Sequence, residues 1–208
     1  MVMQGRELGT AELMQIRTLI VSQPGWSRYR LSRELSLLWE WRTATGHHYL
    51  SYTSTVGMNL KYLVRDRQGR PVACALFGSA AWQCAARDEF IGWAPATRRR
   101  HLQRITNNTR FLVMPWVEVK LLASHVLGGI LRRLRGDWRR KYAQPLSLVE
   151  TFVDTSRFAG VCYRAANWIA VGETTGRTRQ DRFNRIAVPR KAVLLRALVA
   201  NFREELAA

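Results

Sequence analysis

One long amphipathic segment interrupts a series of short apolar runs in this sequence. Residues 121–138 carry Val126, Ile130, Leu131 and Leu134 at the spacing of one helix face, with arginines on the opposite face. Short apolar runs precede it at 59–65, 72–77 and 109–119 and follow it at 146–153 and 168–171. Such runs have the length of β-strands, and residues 158–166 fit a short helix. The alternation predicts an α+β fold in which helices flank a mixed sheet.

The segments between the apolar runs predict how the strands connect. Residues 66–70 form a polar turn with a glycine at its fourth position, which predicts a β-hairpin. Pro115 lies within the 109–119 run, so that strand is predicted to be an edge, bulged or split strand, and a splayed strand would open a cleft. Residues 82–100 fit loop and short helix, 172–184 an arginine-rich loop, and 192–206 an amphipathic closing segment.

The first 46 residues have the pattern of a helical hairpin. A helix is predicted after Thr10 and is stopped by Pro24, and a second is predicted over 27–41. Arginines on the polar side of the second helix are candidate DNA contacts: Arg28, Arg30 and Arg33. The hairpin resembles the start of a helix-turn-helix, and a plain packing hairpin is the alternative. We therefore expect a truncated helix-turn-helix over 1–46 and the α+β domain over 47–208.

The net charge indicates a polyanionic partner. Lysine and arginine number 33 against 15 acidic residues, a formal charge of +18 at pH 7. Self-repulsion of that size is relieved when a polyanion lies against the surface. Nucleic acid, DNA first, is the expected partner, ahead of a solvated face without a ligand and of an anionic membrane. Because arginine donors match phosphate oxygens, the expected contacts are Arg98, Arg99, Arg100, Arg132, Arg133, Arg177, Arg179, Arg182 and Arg185.

Composition also favours a cytoplasmic protein without a metal motif. No run of about 18 apolar residues is present, and residues 1–17 lack the features of a signal peptide. The three cysteines form no C-x-x-C pair, which argues against a disulfide framework and a zinc knuckle. The four histidines, His48 and His125 among them, are scattered, so only a metal site assembled in space stays open.

Seven short sequences between residues 46 and 181 carry a family resemblance. They are HYLSY at 48–52, LKYLV at 60–64, FIGW at 90–93, NNTRF at 107–111, LASHVLG at 122–128, ETFVD at 150–154 and CYRAANW at 162–168. Together they are similar to the family typified by the DruA component of Druantia anti-phage defence, which is also found beside transposable elements. The resemblance implies a protein that interacts with DNA and with other defence or transposition proteins.

Residues 110–177 resemble, more distantly, the phage Mom proteins, which modify adenine in DNA and have the Gcn5-related N-acetyltransferase fold. The shared outline includes a strand ending near Pro115, a turn into a helix at Ser124 and a strand ending in Asp154. The order of predicted elements, hairpin, broken strand, long helix, strand, short helix and strand, resembles the same fold. This resemblance places Tyr163 where such folds carry a general-acid tyrosine, and Ser124 and Gly128 in the cofactor-binding region.

The cofactor itself is not identified by the sequence. Acetyltransferases hold a pyrophosphate on a loop of the form Arg/Gln-x-x-Gly-x-Gly/Ala at a helix N-terminus, and residues 120–129 do not have that form. Acetyl-CoA is therefore not an expected cofactor, whereas a divalent metal stays open.

Two side chains of the CYRAANW sequence are candidates for chemistry. A phenol in a cleft can protonate a leaving group, so Tyr163 is a candidate general acid, with a core tyrosine as the alternative. Asn167 lies between apolar neighbours, and we expect a buried amide that bonds the backbone or a ligand. His125 is a candidate base.

Three carboxylates complete the set of candidates. Glu150 and Asp154 share one face of a predicted strand, and Asp154 ends it, where ligands of open sheets bind or where a carboxylate caps the next helix. With Asp88 they could hold a divalent metal for strand cleavage or transfer. The residues thus leave three hypotheses: a DNA-binding protein that modifies a nucleobase, a non-enzymatic DNA-recognition module, and a metal-dependent nuclease or transferase.

Overall fold

The computed structural model describes residues 2–3, 6–7, 10–25, 57–176 and 189–207, and the chain divides into two compact units, Met1–Ser51 and Tyr52–Ala208. In the first unit, strands β1 (Val2–Met3) and β2 (Arg6–Glu7) pair antiparallel and precede helix α1 (Thr10–Ser22). Helix α1 confirms the first predicted helix, which ends before Pro24 as expected. The predicted second helix and its arginines, Arg28, Arg30 and Arg33, lie outside the described residues.

The described residues of the second unit form a six-stranded mixed sheet. Its strands are β3 (Leu60–Arg65), β4 (Pro71–Ser79), β5 (Ile105–Val113), β6 (Leu148–Asp154), β7 (Ile169–Glu173) and β8 (Lys191–Ala197). They lie in the order β3-β4-β5-β6-β8-β7; β5 and β6 run parallel, and the other neighbours run antiparallel. The predicted α+β class and the hairpin around 66–70 are confirmed.

Helices cover both faces of the sheet. The longest, α4 (Leu122–Tyr142), packs on one face with α5 (Val161–Ala165), while α2 (Ala85–Ile91), α3 (Pro95–His101) and α6 (Phe202–Ala207) lie on the other. On the α4 face Leu127, Leu134 and Trp138 are fully buried. On the α2 face Ile91 and Leu206 are buried in a second core. The long helix predicted over 121–138 is confirmed, since helical spacing put its apolar residues on one side.

Two predicted segments need correction. The 109–119 strand is wrong in its bounds, because β5 begins at Ile105 and ends before Pro115. Of the predicted alternatives, the edge position is wrong, since β5 lies between β4 and β6, whereas a bulge is present where the β4–β5 register shifts. The amphipathic segment 192–206 is instead strand β8 followed by helix α6. Val193, Leu194 and Leu195 are buried in succession because β8 lies inside a sheet that is covered on both faces.

Gly172 lets β7 approach α2 closely. Its φ is +145°, and a Cβ there would lie 2.9 Å from the Cβ of Ala86. A side chain there would force β7 or α2 to shift, so the close approach of the strand to the helix favours glycine at this position. No helix in the described part of the chain is long and apolar enough to cross a membrane.

Candidate functional site

The parallel strands β5 and β6 form a fork. They are in register at only three positions, from Ile105 opposite Leu148 to Asn107 opposite Glu150. Beyond these positions β5 continues beside β4 and β6 continues beside β8, so the two strands separate toward their carboxyl ends. In open sheets, ligands bind outside the carboxyl ends of parallel strands.

Asn108 organises the start of the fork. A register shift makes Thr109 an extra residue of β5, because Phe77 pairs with Asn108 and Leu76 with Arg110. The Asn108 Nδ2 donates to the carbonyls of Leu76, at 3.1 Å, and Arg110, at 3.0 Å, and so satisfies the bulge. This leaves its Oδ1 as an acceptor that points out of the bulge.

The hydroxyl of Tyr163 meets that acceptor. It donates to the Asn108 Oδ1 at 2.8 Å, and its ring contacts Phe111 and Trp168 edge-on, with centroids 6.3 Å and 5.2 Å away. Across the fork, the hydroxyl of Thr151 on β6 donates to the Asn108 carbonyl at 2.9 Å. The half-buried phenol of Tyr163, which α5 carries, is therefore held against β5. Its hydroxyl proton is directed at the neutral amide of Asn108.

A cavity of about 330 Å³ lies beside α5 and the first turn of α4. Its lining consists of Val113, Val119, Leu121, Leu122, Ala123, Ser124, Val161, Cys162 and Ala165. Leu121 directly precedes α4 with a φ of +62°, and its carbonyl accepts from the His125 N–H at 3.1 Å. The backbone N–H groups of Ala123 and Ser124 therefore have no acceptor within the helix. The cavity combines an apolar wall with donors at one end.

Of the two residues predicted to bind a cofactor, Ser124 and Gly128, only Ser124 lines the cavity. Ser124 lines the cavity, and its hydroxyl donates to the Leu121 carbonyl at 2.9 Å. Gly128 lies one turn further along α4 and is not part of the lining; a Cβ there would meet the guanidinium of Arg132 at 3.7 Å, so nothing requires glycine. His125 is exposed on the first turn of α4.

Asp154 and Asn167 have structural roles in turns. The Asp154 Oδ1 accepts from the Ser156 hydroxyl at 2.6 Å and its N–H at 3.2 Å, and the hydroxyl bond, foremost, lowers the pKa of Asp154. Asn167 is exposed, with a φ of +62°, where the chain turns from α5 toward β7. The expectation of a buried amide at Asn167 is therefore wrong, because a left-handed turn residue faces solvent here.

Glu150 and Asp88 belong to a buried network of charges rather than to a metal site. Arg87, fully buried, donates to Glu150 Oε2 at 2.8 Å and to Asp88 Oδ1 at 2.7 Å and 2.9 Å. Arg98 donates to the other Asp88 oxygen at 2.8 Å. The arginines thus neutralise both carboxylates, while Asp154 stands four residues along β6, about 13 Å from Glu150 at 3.3 Å per residue. Within the described ranges, no three His, Cys, Asp or Glu side chains are grouped to hold a metal ion.

The sequence does not single out Arg87 or Asn108, although Asn108 and the partner of Arg87, Glu150, each carry a local signal. Asn108 lies inside a strand, where asparagine is disfavoured unless its amide is used. Glu150 lies in the middle of the apolar run LVETFVD, and a carboxylate so placed needs a buried cation. Its partner could be sought among the arginines, but not chosen from the sequence.

The predicted phosphate contacts lie on opposite faces of the sheet. Arg99 and Arg100 are exposed on α3, whereas Arg132 and Arg133 are exposed on α4. Arg98 is largely enclosed by the charge network. The loop arginines, Arg177, Arg179, Arg182 and Arg185, lie outside the described residues.

Comparisons with known proteins give one family and a set of solved structures. A family model described as Druantia protein DruA matches residues 27–197. A search of curated proteins finds no match. The chain is similar to spermidine N-acetyltransferase from Vibrio cholerae with CoA and spermine, at 11% identity and a TM-score of 0.47 over 93% of this chain and 94% of that one. A chimera of the Vibrio cholerae enzyme and hSSAT gives 12% identity and a TM-score of 0.46 over 96% and 98%.

Proposed function

The chain belongs to the DruA family, and from this premise we propose that it is a DNA-binding protein of anti-phage defence or of mobile elements. The observation that carries the proposal is the exposed surface of α4. Five arginines and a lysine lie on this helix with a single acidic residue, Asp137. That excess matches the sign and the forked geometry of a phosphate backbone.

Four of the five α4 arginines form two rows, of which one is not neutralised, and the fifth, Arg135, pairs with Glu205. Arg133 and Arg140 both bond Asp137. Arg132 and Arg139 are seven residues apart, on one helix face about 10 Å from each other at 1.5 Å per residue. Among the described residues no acidic side chain pairs with either. Positive charge in the last turn of a helix is favoured by the helix dipole, which accounts for Arg139. Arg132 lies outside that turn, so the dipole does not account for it.

The fork supports a more specific version of the proposal, in which the protein modifies a nucleobase. Tyr163, held by Asn108, would act as general acid, and the cavity beside α5 would receive the donor or the base. The alternative is a non-enzymatic recognition module, in which the Tyr163 hydrogen bond only secures the bulge. Metal-dependent cleavage is not proposed, because Arg87 occupies the position between two of its three carboxylates.

Binding is tested by fluorescence anisotropy with labelled duplex DNA, single-stranded DNA and RNA over a range of salt concentrations. We expect affinity to fall linearly on a log–log plot with salt, by about 0.9 in slope for each duplex phosphate contacted. An Arg70→Ala variant is the control for substitutions of the α4 arginines, because Asp66 already neutralises Arg70, which is also exposed. Weak binding to all three ligands at low salt would contradict the proposal.

Modification is tested in cells, where the host supplies the donor. DNA from a bacterial host that expresses the protein is digested to nucleosides and compared by mass spectrometry with DNA from cells expressing Tyr163→Phe. A new nucleoside that disappears with the variant supports base modification. Tight binding without any new nucleoside favours the recognition module.

A further inference from the structure

Trp82 is an exposed aromatic side chain on a loop that the fold holds in place. It follows β4 in the loop that leads to α2, and 49% of its surface is exposed. The guanidinium of Arg98 lies over the indole, 5.9 Å from the ring centroid, within the range of cation–π contacts. Exposing an indole forfeits the free energy of its burial, and single exposed apolar residues are common on protein surfaces. What distinguishes Trp82 is how the backbone before it is fixed.

The charge network holds the residue that precedes Trp82. The Ala81 N–H donates to Glu150 Oε1 at 2.6 Å, and the Ala81 carbonyl accepts from the buried guanidinium of Arg87 at 2.7 Å. Both backbone polar groups of this residue are therefore tied to side chains that solvent does not reach. The network thus restricts the loop at the position next to the indole.

The same network fixes the cation on the indole. Arg98 donates to Asp88 at 2.8 Å, and Asp88 is held in turn by Arg87. A free arginine would lose side-chain entropy when a ligand orders it, whereas Arg98 is ordered before any ligand arrives. Indole and guanidinium therefore form a preorganised surface, which we call the Trp82 platform.

The exposed charge of α3, the helix that carries Arg98, favours an anionic ligand. Arg99 and Arg100 follow on α3 and are exposed, and the helix sequence PATRRRH contains no acidic residue. A flat π surface beside cations suits a ligand with planar rings linked by phosphates. Bases in a duplex are covered on both faces by their neighbours, whereas an unpaired base has a free face.

We propose that the Trp82 platform binds single-stranded DNA, with one base stacked on the indole face that Arg98 leaves uncovered and neighbouring phosphates on Arg99 and Arg100. This inference rests on the proposed DNA binding and adds the strandedness and the contact surface. It also assigns a use to the α3 face, which lies opposite the α4 arginines. Duplex binding on α4 does not require it.

The test measures the affinity of the full chain for fluorescein-labelled oligo(dT) and for a duplex of equal length. We expect Trp82→Ala to weaken oligo(dT) binding about 5- to 150-fold, the range for loss of one aromatic–base stack, and to leave duplex binding within about twofold. The salt dependence should not change, because no charge is removed. Trp82→Phe should retain most of the affinity, since a phenyl ring also stacks.

Trp116→Ala is the matched control, because that indole is also exposed. It follows the carboxyl end of β5, and since β4 and β5 are antiparallel this is the opposite end of the pair from Trp82. Urea unfolding of each variant verifies that the fold persists. Unchanged oligo(dT) affinity in Trp82→Ala, or an equal loss for oligo(dT) and duplex, overturns the platform while DNA binding stands. If wild-type protein binds neither ligand at low salt, both proposals fail.

Discussion

Replacement of Arg87 by methionine should make the stability of the protein depend on pH. Methionine keeps an unbranched apolar side chain, but the variant leaves Glu150 buried without its cation. The only remaining bond to that carboxylate in the described network is the one from the Ala81 N–H. Asp88 keeps Arg98, so the change isolates Glu150.

The magnitude follows from proton linkage. Burial raises the pKa of Glu150, and the Arg87 charge opposes that rise. Without Arg87 the folded protein holds Glu150 protonated, while the unfolded chain ionises near pKa 4.3. Proton uptake then costs about 1.4 kcal/mol per pH unit above that value, roughly 3.7 kcal/mol at pH 7 and 1 kcal/mol at pH 5. The lost bond to the Ala81 carbonyl adds about 1 kcal/mol at either pH.

The sign of the effect is determined by the raised pKa. A group whose folded pKa exceeds its unfolded value contributes no penalty below the unfolded pKa, and the penalty grows as pH rises toward the folded one. The variant should therefore approach wild-type stability in mild acid and fall furthest below it at neutral pH. Breaking one side of a buried pair costs about 3–5 kcal/mol in general, which agrees with the total.

Urea unfolding followed by far-UV circular dichroism at pH 5, 6 and 7 measures this difference. The control is Arg87→Met combined with Glu150→Gln, which removes the titrating group and should cost the same at each pH. Equal losses for Arg87→Met at pH 5 and pH 7 would refute the assignment of a buried ionised pair. So would a double variant that is as pH-dependent as the single one.

Three further outcomes are expected. Tyr163→Phe removes the hydroxyl that donates to Asn108 and should lower the free energy of unfolding by about 1 kcal/mol in urea titrations, and an unchanged value would contradict that bond. The double variant Arg132→Ala with Arg139→Ala should reduce the salt slope of duplex binding by about 1.8, and an unchanged slope would remove α4 from the interface. Gly172→Ala forces a methyl group against α2 and should cost about 1–3 kcal/mol of stability, whereas wild-type stability would show that β7 can shift.

Elements with strong local signals were predictable from the sequence. The polar turn at 66–70 and the one-sided apolar pattern of α4 gave a hairpin and a helix, and both are present. The position of β5 was not predictable in this way, because Pro115 suggested an edge while the strand ends two residues before it. Strand β8 does not alternate between apolar and polar residues, because Val193 to Leu195 are buried on both faces of the sheet.

The candidate site depended on pairings over long separations. Tyr163 could be proposed because the chain resembles folds that carry a general-acid tyrosine at this position. Its hydrogen-bond acceptor, Asn108, is 55 residues away in the chain and could not be predicted. Glu150 and Arg87 are 63 residues apart, and only the packing of α2 on the sheet brings them together. A metal site at Asp88, Glu150 and Asp154 was one of three hypotheses from the sequence, and the sequence did not show that Arg87 pairs with the first two of these carboxylates.

The short register between β5 and β6 has a consequence for motion. Three antiparallel strands lie on each side of that joint, and in the described part of the chain the strands pair across it at only three positions. Amide hydrogens at the joint should exchange with solvent sooner than those inside β4 or β8, because opening one parallel pairing exposes fewer buried groups than unfolding a hairpin. A ligand that contacts both β5 and β6 would hold the two strands together at the joint. Its binding should slow amide hydrogen exchange at Asn107 and Asn108.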